Sequence, residues 1–155
     1  MVGLARVSSV HRSSSSAWLP AAVARATAAA APGGGSPLRK SRASRLGLAV
    51  CRDTGIPEHA ARTAALGIDG YVAGVVHADH EAEVHGERAR RVAADHGAWV
   101  ATAAFAGPTG GGFDRTSGRS GIWSADGELV AEASSAPDEI ARAVFMPEGM
   151  LQPAP

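Results

Sequence analysis

The sequence predicts an α/β fold on a mainly parallel sheet, and three observations carry that expectation. From Leu46 onward short apolar runs alternate with helical stretches, and an Asp-Gly pair near the C-terminus separates two strand-like runs. The third is composition: aromatic residues make up 5% of the chain while glycines number 19, so small side chains must let helices lie close on a sheet.

Each element follows from its local chemistry. "LGLAVC" (46–51) is apolar, long enough for a buried strand and too short for a helix. "RDTG" then turns the chain, and Pro57 opens a helix through "EHAARTAALG", with Thr54 or Gly55 near its cap and Gly67 as its stop. "DGYVAGVVHA" (69–78) reads as a second buried strand. "DHEAEVHGERARRVAADHG" (79–97) reads as a helix that Asp79 can cap, with acids in its first turn, and arginines and Gly97 toward its end. "AWVATAAFA" (98–106) is a third strand, "GPTGGGFDRTSG" (107–118) a loop, and "RSGIWSADGELVAEAS" (119–134) a β-hairpin around its Asp-Gly turn. "APDEIARAVF" (136–145) reads as a short helix or a closing strand, and residues 147–155 as a frayed tail.

At 155 residues the chain has room for one ordinary domain, but its charge is distributed unevenly. The first 52 residues hold eight Lys/Arg and no acid, whereas the remaining 103 hold seven basic and fifteen acidic residues. Residues 1–44 are rich in Arg, Ser and Ala and carry "PGGGSP" at positions 32–37. They share the composition of a transit peptide, yet they are expected to be a disordered or mistranslated low-complexity segment that cannot bury enough surface to fold. The folded domain is assigned to residues 45–146. Its few strands and hairpin leave one sheet poorly covered, as a partial domain would.

Several function classes are disfavoured. No run of about 18 apolar residues exists to span a membrane. The single cysteine excludes an internal disulfide and suits a reducing, cytoplasmic setting. The basic N-terminal run lacks the interleaved aromatics of a nucleic-acid binder. The glycine loop at 107–118 lacks the Gly-Lys-Ser/Thr ending of a phosphate cradle. His77, His80 and His85 lie close together but without the tighter ligand pairs of a zinc site, so neither a metal nor a cofactor is expected.

Cys51 carries the chemistry. A lone cysteine in an apolar strand is usually inert packing. This one, however, sits where strand passes into turn and helix, a position that lifts a nucleophile to the end of a sheet, and Arg52 beside it favours a thiolate. "LGLAVCRDTGIPEHAARTAALGIDGYVAG" resembles the nucleophile segment of the nitrilase superfamily, the carbon-nitrogen hydrolases. That pattern is an apolar strand, the cysteine, an acid two positions on, then Pro-Glu opening a helix, here Cys51, Asp53, Pro57 and Glu58. "ERARRVAADHGAWVATAA" and "GRSGIWSADGELVAEAS" continue the resemblance in order, from Leu46 to Phe145.

The resemblance implies the C-terminal half of a nitrilase-like α-β-β-α sandwich and hydrolysis of a small amide or carbamoyl compound through a cysteine thioester. It makes Cys51 the catalytic residue, gives His77, after the strand that borders the substrate pocket, a substrate contact, and leaves Asp53 and Glu58 as structural neighbours of the site. It also implies a glutamate base and a lysine upstream of the cysteine. No acid precedes Asp53, and the only lysine, Lys40, lies in a Ser/Arg-rich stretch. Gly55 replaces an arginine common in the motif, and Arg52 an aromatic. The chain is therefore expected to be truncated and impaired as an enzyme, and a homo-oligomer is compatible with it. The alternative is a non-catalytic module that pairs with a full-length hydrolase.

Overall fold

The computed structural model describes residues 3–8, 25–27, 45–109, 112–145 and 151–154. Its centre is a five-stranded sheet in the order β3-β4-β5-β6-β7. The strands are β3 (Leu46–Val50), β4 (Gly70–Val75), β5 (Trp99–Ala104), β6 (Gly121–Trp123) and β7 (Leu129–Glu132). The first three run parallel and the last two close antiparallel, as the strand–helix alternation and the Asp-Gly turn predict. Trp99 stands opposite Gly70 across the β4–β5 ladder, its indole lying where any side chain at Gly70 would have to go.

Helices α1 (Pro57–Ala64) and α2 (Ala82–His96) cover one face. Pro57 occupies the first turn of α1, where its missing N–H costs nothing. The cap is Ile56, which has no side-chain acceptor, rather than Thr54 or Gly55. The hydroxyl of Thr54 is engaged elsewhere, donating to the carbonyl of Cys51 at 2.7 Å. Asp79 does not cap α2 either: a short 3₁₀ turn, Asp79–Glu81, intervenes, and the Asp79 carboxylate pairs with Arg115 of the glycine loop. Gly97 ends α2 in the left-handed conformation, φ 61°, that a C-terminal glycine supplies.

Alternate residues of the strands point to two separate cores. Tyr71, Ala73, Val75, Val100 and Ala104 meet Ala89, Val92 and Ala93 of α2, where the small side chains admit the helix closely. On the opposite face Val72, Trp99, Ala101 and Ile122 pack with Ala141 and Ala143. Those two alanines belong to β8 (Ile140–Phe145), so the segment read as a helix or a strand is a strand. β8 lies in a second, antiparallel sheet of order β2-β1-β8-β9, with β1 (Gly3–Ser8), β2 (Arg25–Thr27) and β9 (Leu151–Pro153). Two pieces of the 1–44 segment are thus strands paired to the domain, while its other residues lie outside the described ones. The tail is likewise tied down, because Leu151–Pro153 pairs with β8 instead of fraying.

The layers are therefore helix, sheet, sheet. β3 is the edge strand of the central sheet among the described residues, and its Leu48 and Val50 are 72% and 70% exposed on the face away from the helices.

Candidate active site

Cys51 follows the last residue of β3 and opens a 3₁₀ turn, Cys51–Gly55. Its φ is 45°, left-handed for a residue that carries a side chain, which costs about 1 kcal/mol or more and must be held by its surroundings. Three bonds hold it. Asp53 Oδ2 accepts from the Val50 N–H at 3.0 Å, Thr54 Oγ1 donates to the Cys51 carbonyl, and the Ile56 N–H donates to the Asp53 carbonyl at 3.1 Å. The half-buried thiol points at the Val76 carbonyl, 3.6 Å away, just beyond the end of β4. Parallel strands β3 and β4 thus deliver both the sulfur and its acceptor at their C-terminal ends, where α/β sheets place their sites.

Asp53 also begins a chain of polar groups beneath the turn. His59 Nε2 of α1 lies 4.0 Å from its carboxylate, and His59 Nδ1 is 3.0 Å from the Tyr71 hydroxyl. Burial, and then the Asp53 charge, push the Tyr71 phenol up to about 12, so it remains a protonated donor. Glu58 is exposed in the first turn of α1, where a carboxylate complements the helix dipole, and its backbone carbonyl accepts from Arg62.

His77 is only 5% exposed, and so lines an internal cavity rather than an open cleft. The cavity, about 10 Å³, has room for a single water and lies between His77, His85, Thr54, Thr102 and Tyr71. Arg88 donates to His77 Nε2 at 3.3 Å, while His85 Nε2 bonds Thr102 Oγ1 of β5 at 2.8 Å. The rings are 5.4 Å apart, and the Nδ1 atoms of both are buried without a protein hydrogen-bond partner. Burial is the main cause holding His77 below its usual range, followed by the Arg88 charge, with Glu81 opposing. For His85 burial and then His77, Arg119 and Arg88 lower it to about 4. His80, by contrast, projects outward, its side chain 80% exposed.

From the sequence, His85 stood only among clustered histidines and Thr54 only near a helix cap, and neither Arg88 nor Thr102 stood out. A signal for His85 was present: with Ala89, Val92 and Ala93 it follows the i, i+4, i+7, i+8 spacing of a helix's inner stripe. For Arg88, which reaches the turn from another element, no local pattern existed. Lys40 lies outside the described residues.

A model of the carbon-nitrogen hydrolase family matches residues 6–147, starting well ahead of Leu46. The chain belongs to the carbon-nitrogen hydrolases. Its fold is similar to that of Saccharomyces cerevisiae Nit3, a member of branch 10 of the nitrilase superfamily, at 26% identity and a TM-score of 0.60, covering 67% of this chain and 38% of that one. The amidase from Nesterenkonia sp. AN1 aligns at 26% identity and a TM-score of 0.55, over 74% of this chain and 43% of the amidase. A glutamate-to-glutamine mutant of that amidase, with the acetamide moiety of fluoroacetamide added covalently at its active-site cysteine, aligns at 25% identity with a TM-score of 0.56, over 79% and 43%. The chain thus spans less than half the length of these structures. No curated protein matches it by sequence. The central sheet carries helices on one side and a second sheet on the other, in a fold similar to these nitrilase-superfamily structures, and among the described residues no helix is long and apolar enough to cross a membrane.

Proposed function

We propose that Cys51 is the nucleophile of a hydrolase acting on a small amide or carbamoyl substrate. One observation carries this reading: in a carbon-nitrogen hydrolase, the chain's single cysteine is held at φ 45° at a strand-to-helix junction. Strain of that kind persists where the surroundings over-determine it, which is characteristic of reacting groups. The solved amidase modified at its active-site cysteine supports the same chemistry by similarity. In this scheme Cys51 Sγ attacks the carbonyl carbon, and the tetrahedral intermediate collapses as the C–N bond breaks. Nitrogen leaves as ammonia or an amine after taking up a proton, and water then cleaves the thioester to the acid and restores the thiol. Asp53 and Thr54 keep the sulfur in place, and Glu58 supports the helix behind it.

Proton transfer is the weak step. A thiol reacts well at neutral pH only beside a base or a cationic neighbour, and within these 155 residues no acid precedes Asp53. The 155-residue chain is therefore an impaired catalyst in a reducing, cytoplasmic setting. Purified protein incubated with a panel of small amides should release ammonia no faster than Cys51→Ala. Robust turnover that vanishes in Cys51→Ala would show that the base lies within this chain.

A second reading, a module that pairs with a full-length hydrolase, is favoured by the exposure of Leu48 and Val50 on the edge strand. It predicts dye binding and association that Leu48→Lys and Val50→Lys together abolish. A monomer silent to dye would refute it.

A further inference from the structure

Arg88 occupies a position that neither the motif nor the proposed chemistry assigns. Its guanidinium reaches from α2 to the bare face of Gly55, the last residue of the Cys51 turn: a Cβ at Gly55 would meet Arg88 Cζ at 3.0 Å and Nε at 3.2 Å. From there Nη1 donates to His77 Nε2, two residues past the end of β4 and next to the Val76 carbonyl that faces the thiol. A guanidinium has no lone pair to offer, so this bond exists only while Nε2 is unprotonated. Neutral His77 must then carry its proton on Nδ1, which is buried, and the residue lines the cavity together with His85.

We propose that Arg88 is a positioning residue that latches the Cys51 turn to His77, and that acid releases it. Adding a proton to His77 Nε2 converts the acceptor into a second donor pointed at the guanidinium, and Arg88 must leave. Gly55 then loses the group packed against it, and the turn loses its link through Arg88 to His77. The groups facing the two imidazoles set the direction. Arg88 from α2 opposes a positive charge on His77, and His77, Arg119 from the segment before β6 and Arg88 oppose one on His85. Glu81, from the 3₁₀ turn, favours it but ranks below burial and Arg88. Tyr71 of β4, Thr54 and Thr102 line the same cavity without charge. The latch does not depend on turnover, so it can be tested whether or not Cys51 hydrolyses an amide.

Because Cys51 is the only thiol, its accessibility reports the turn directly. The full chain is labelled with 4,4'-dithiodipyridine from pH 7 to about pH 4.5, each rate divided by that of the urea-denatured chain at the same pH. The normalised rate should rise about tenfold on acidification, through local opening of the turn. His77→Gln keeps an acceptor for Arg88 that does not titrate, so it should stay protected across the range. Arg88→Ala should label fast at both ends. A flat profile for the native chain, or the same rise in His77→Gln, overturns the latch. Should His77→Gln fail to fold, nitrogen-15 NMR of the native chain decides: at pH 7 His77 must carry its proton on Nδ1 alone, and a proton on Nε2 overturns the proposal.

Discussion

Two parallel strands of one sheet, β3 and β5, have nearly the same kind of sequence and opposite environments. Every residue of β5 is buried, between α2 on one side and the second sheet on the other. In β3 only Gly47 and Ala49 are buried, facing the helices, while Leu48 and Val50 look outward. A run of apolar residues therefore states that a strand wants cover on both faces, not that it receives it. The site straddles the contrast: the sulfur is carried by the sparsely covered strand, whereas the histidine pair that backs it is anchored through Thr102 to the fully covered one.

What each strand and its neighbours contribute to stability is separately measurable. The largest effect expected is pH-dependent and belongs to the buried side. The folded chain holds His85 near 4, against 6.5 when unfolded. The unfolded state therefore binds the proton first, so stability is complete above pH 6.5 and is lost as pH falls toward 4. The whole loss is about 3 kcal/mol for this group. Urea midpoints at pH 7 and pH 5 should separate markedly in the native chain and much less in His85→Gln. The same substitution at exposed His80 should leave the pH dependence alone, and equal behaviour of the two variants would remove the distinction.

Packing gives the next effect. Val100→Ala in β5 should cost about 2 kcal/mol, because the lost methyls leave a void in a closed layer. Leu48→Ala in β3 removes more atoms, yet should stay within about 0.5 kcal/mol, because they already face water. A Leu48→Ala cost matching that of Val100→Ala would mean that β3 is covered in solution by another surface. A smaller loss than that of Val100→Ala is expected at the turn. Asp53→Ala removes the acceptor for the Val50 N–H and should cost about 1 kcal/mol in thermal or urea unfolding. It should also raise the labelling rate of Cys51, which Asp53→Asn, keeping an acceptor oxygen, should largely spare.

How much of this was legible in the sequence follows from how local each signal is. The central sheet could be read in order, because Pro57, Gly97 and the Asp-Gly turn punctuate neighbouring segments. Cys51 stood out for the same reason, being one residue at one junction. The second sheet could not be read, since β1 pairs with β8 from the opposite end of the chain and residues 1–44 have a composition that hides strands. The caps failed because Thr54 and Asp79 have the right chemistry but found other partners, a carbonyl within the turn and an arginine in a distant loop. Among the clustered histidines, sequence proximity gave no rank. Position on the α2 stripe is what separates buried His85 from exposed His80.

The Trp99–Gly70 pair has a consequence for how the chain is assembled. Parallel ladders offer evenly spaced rungs, and an alanine-rich strand such as β5 could slide along its neighbour with little to stop it. An indole that needs a bare α-carbon opposite it supplies a stop, because any side chain in the place of Gly70 would overlap the ring. The largest and smallest residues thereby act as key and notch, and the alignment that puts the Cys51 turn beside His77 is checked at the first rung, at the far end of the sheet from the site it serves.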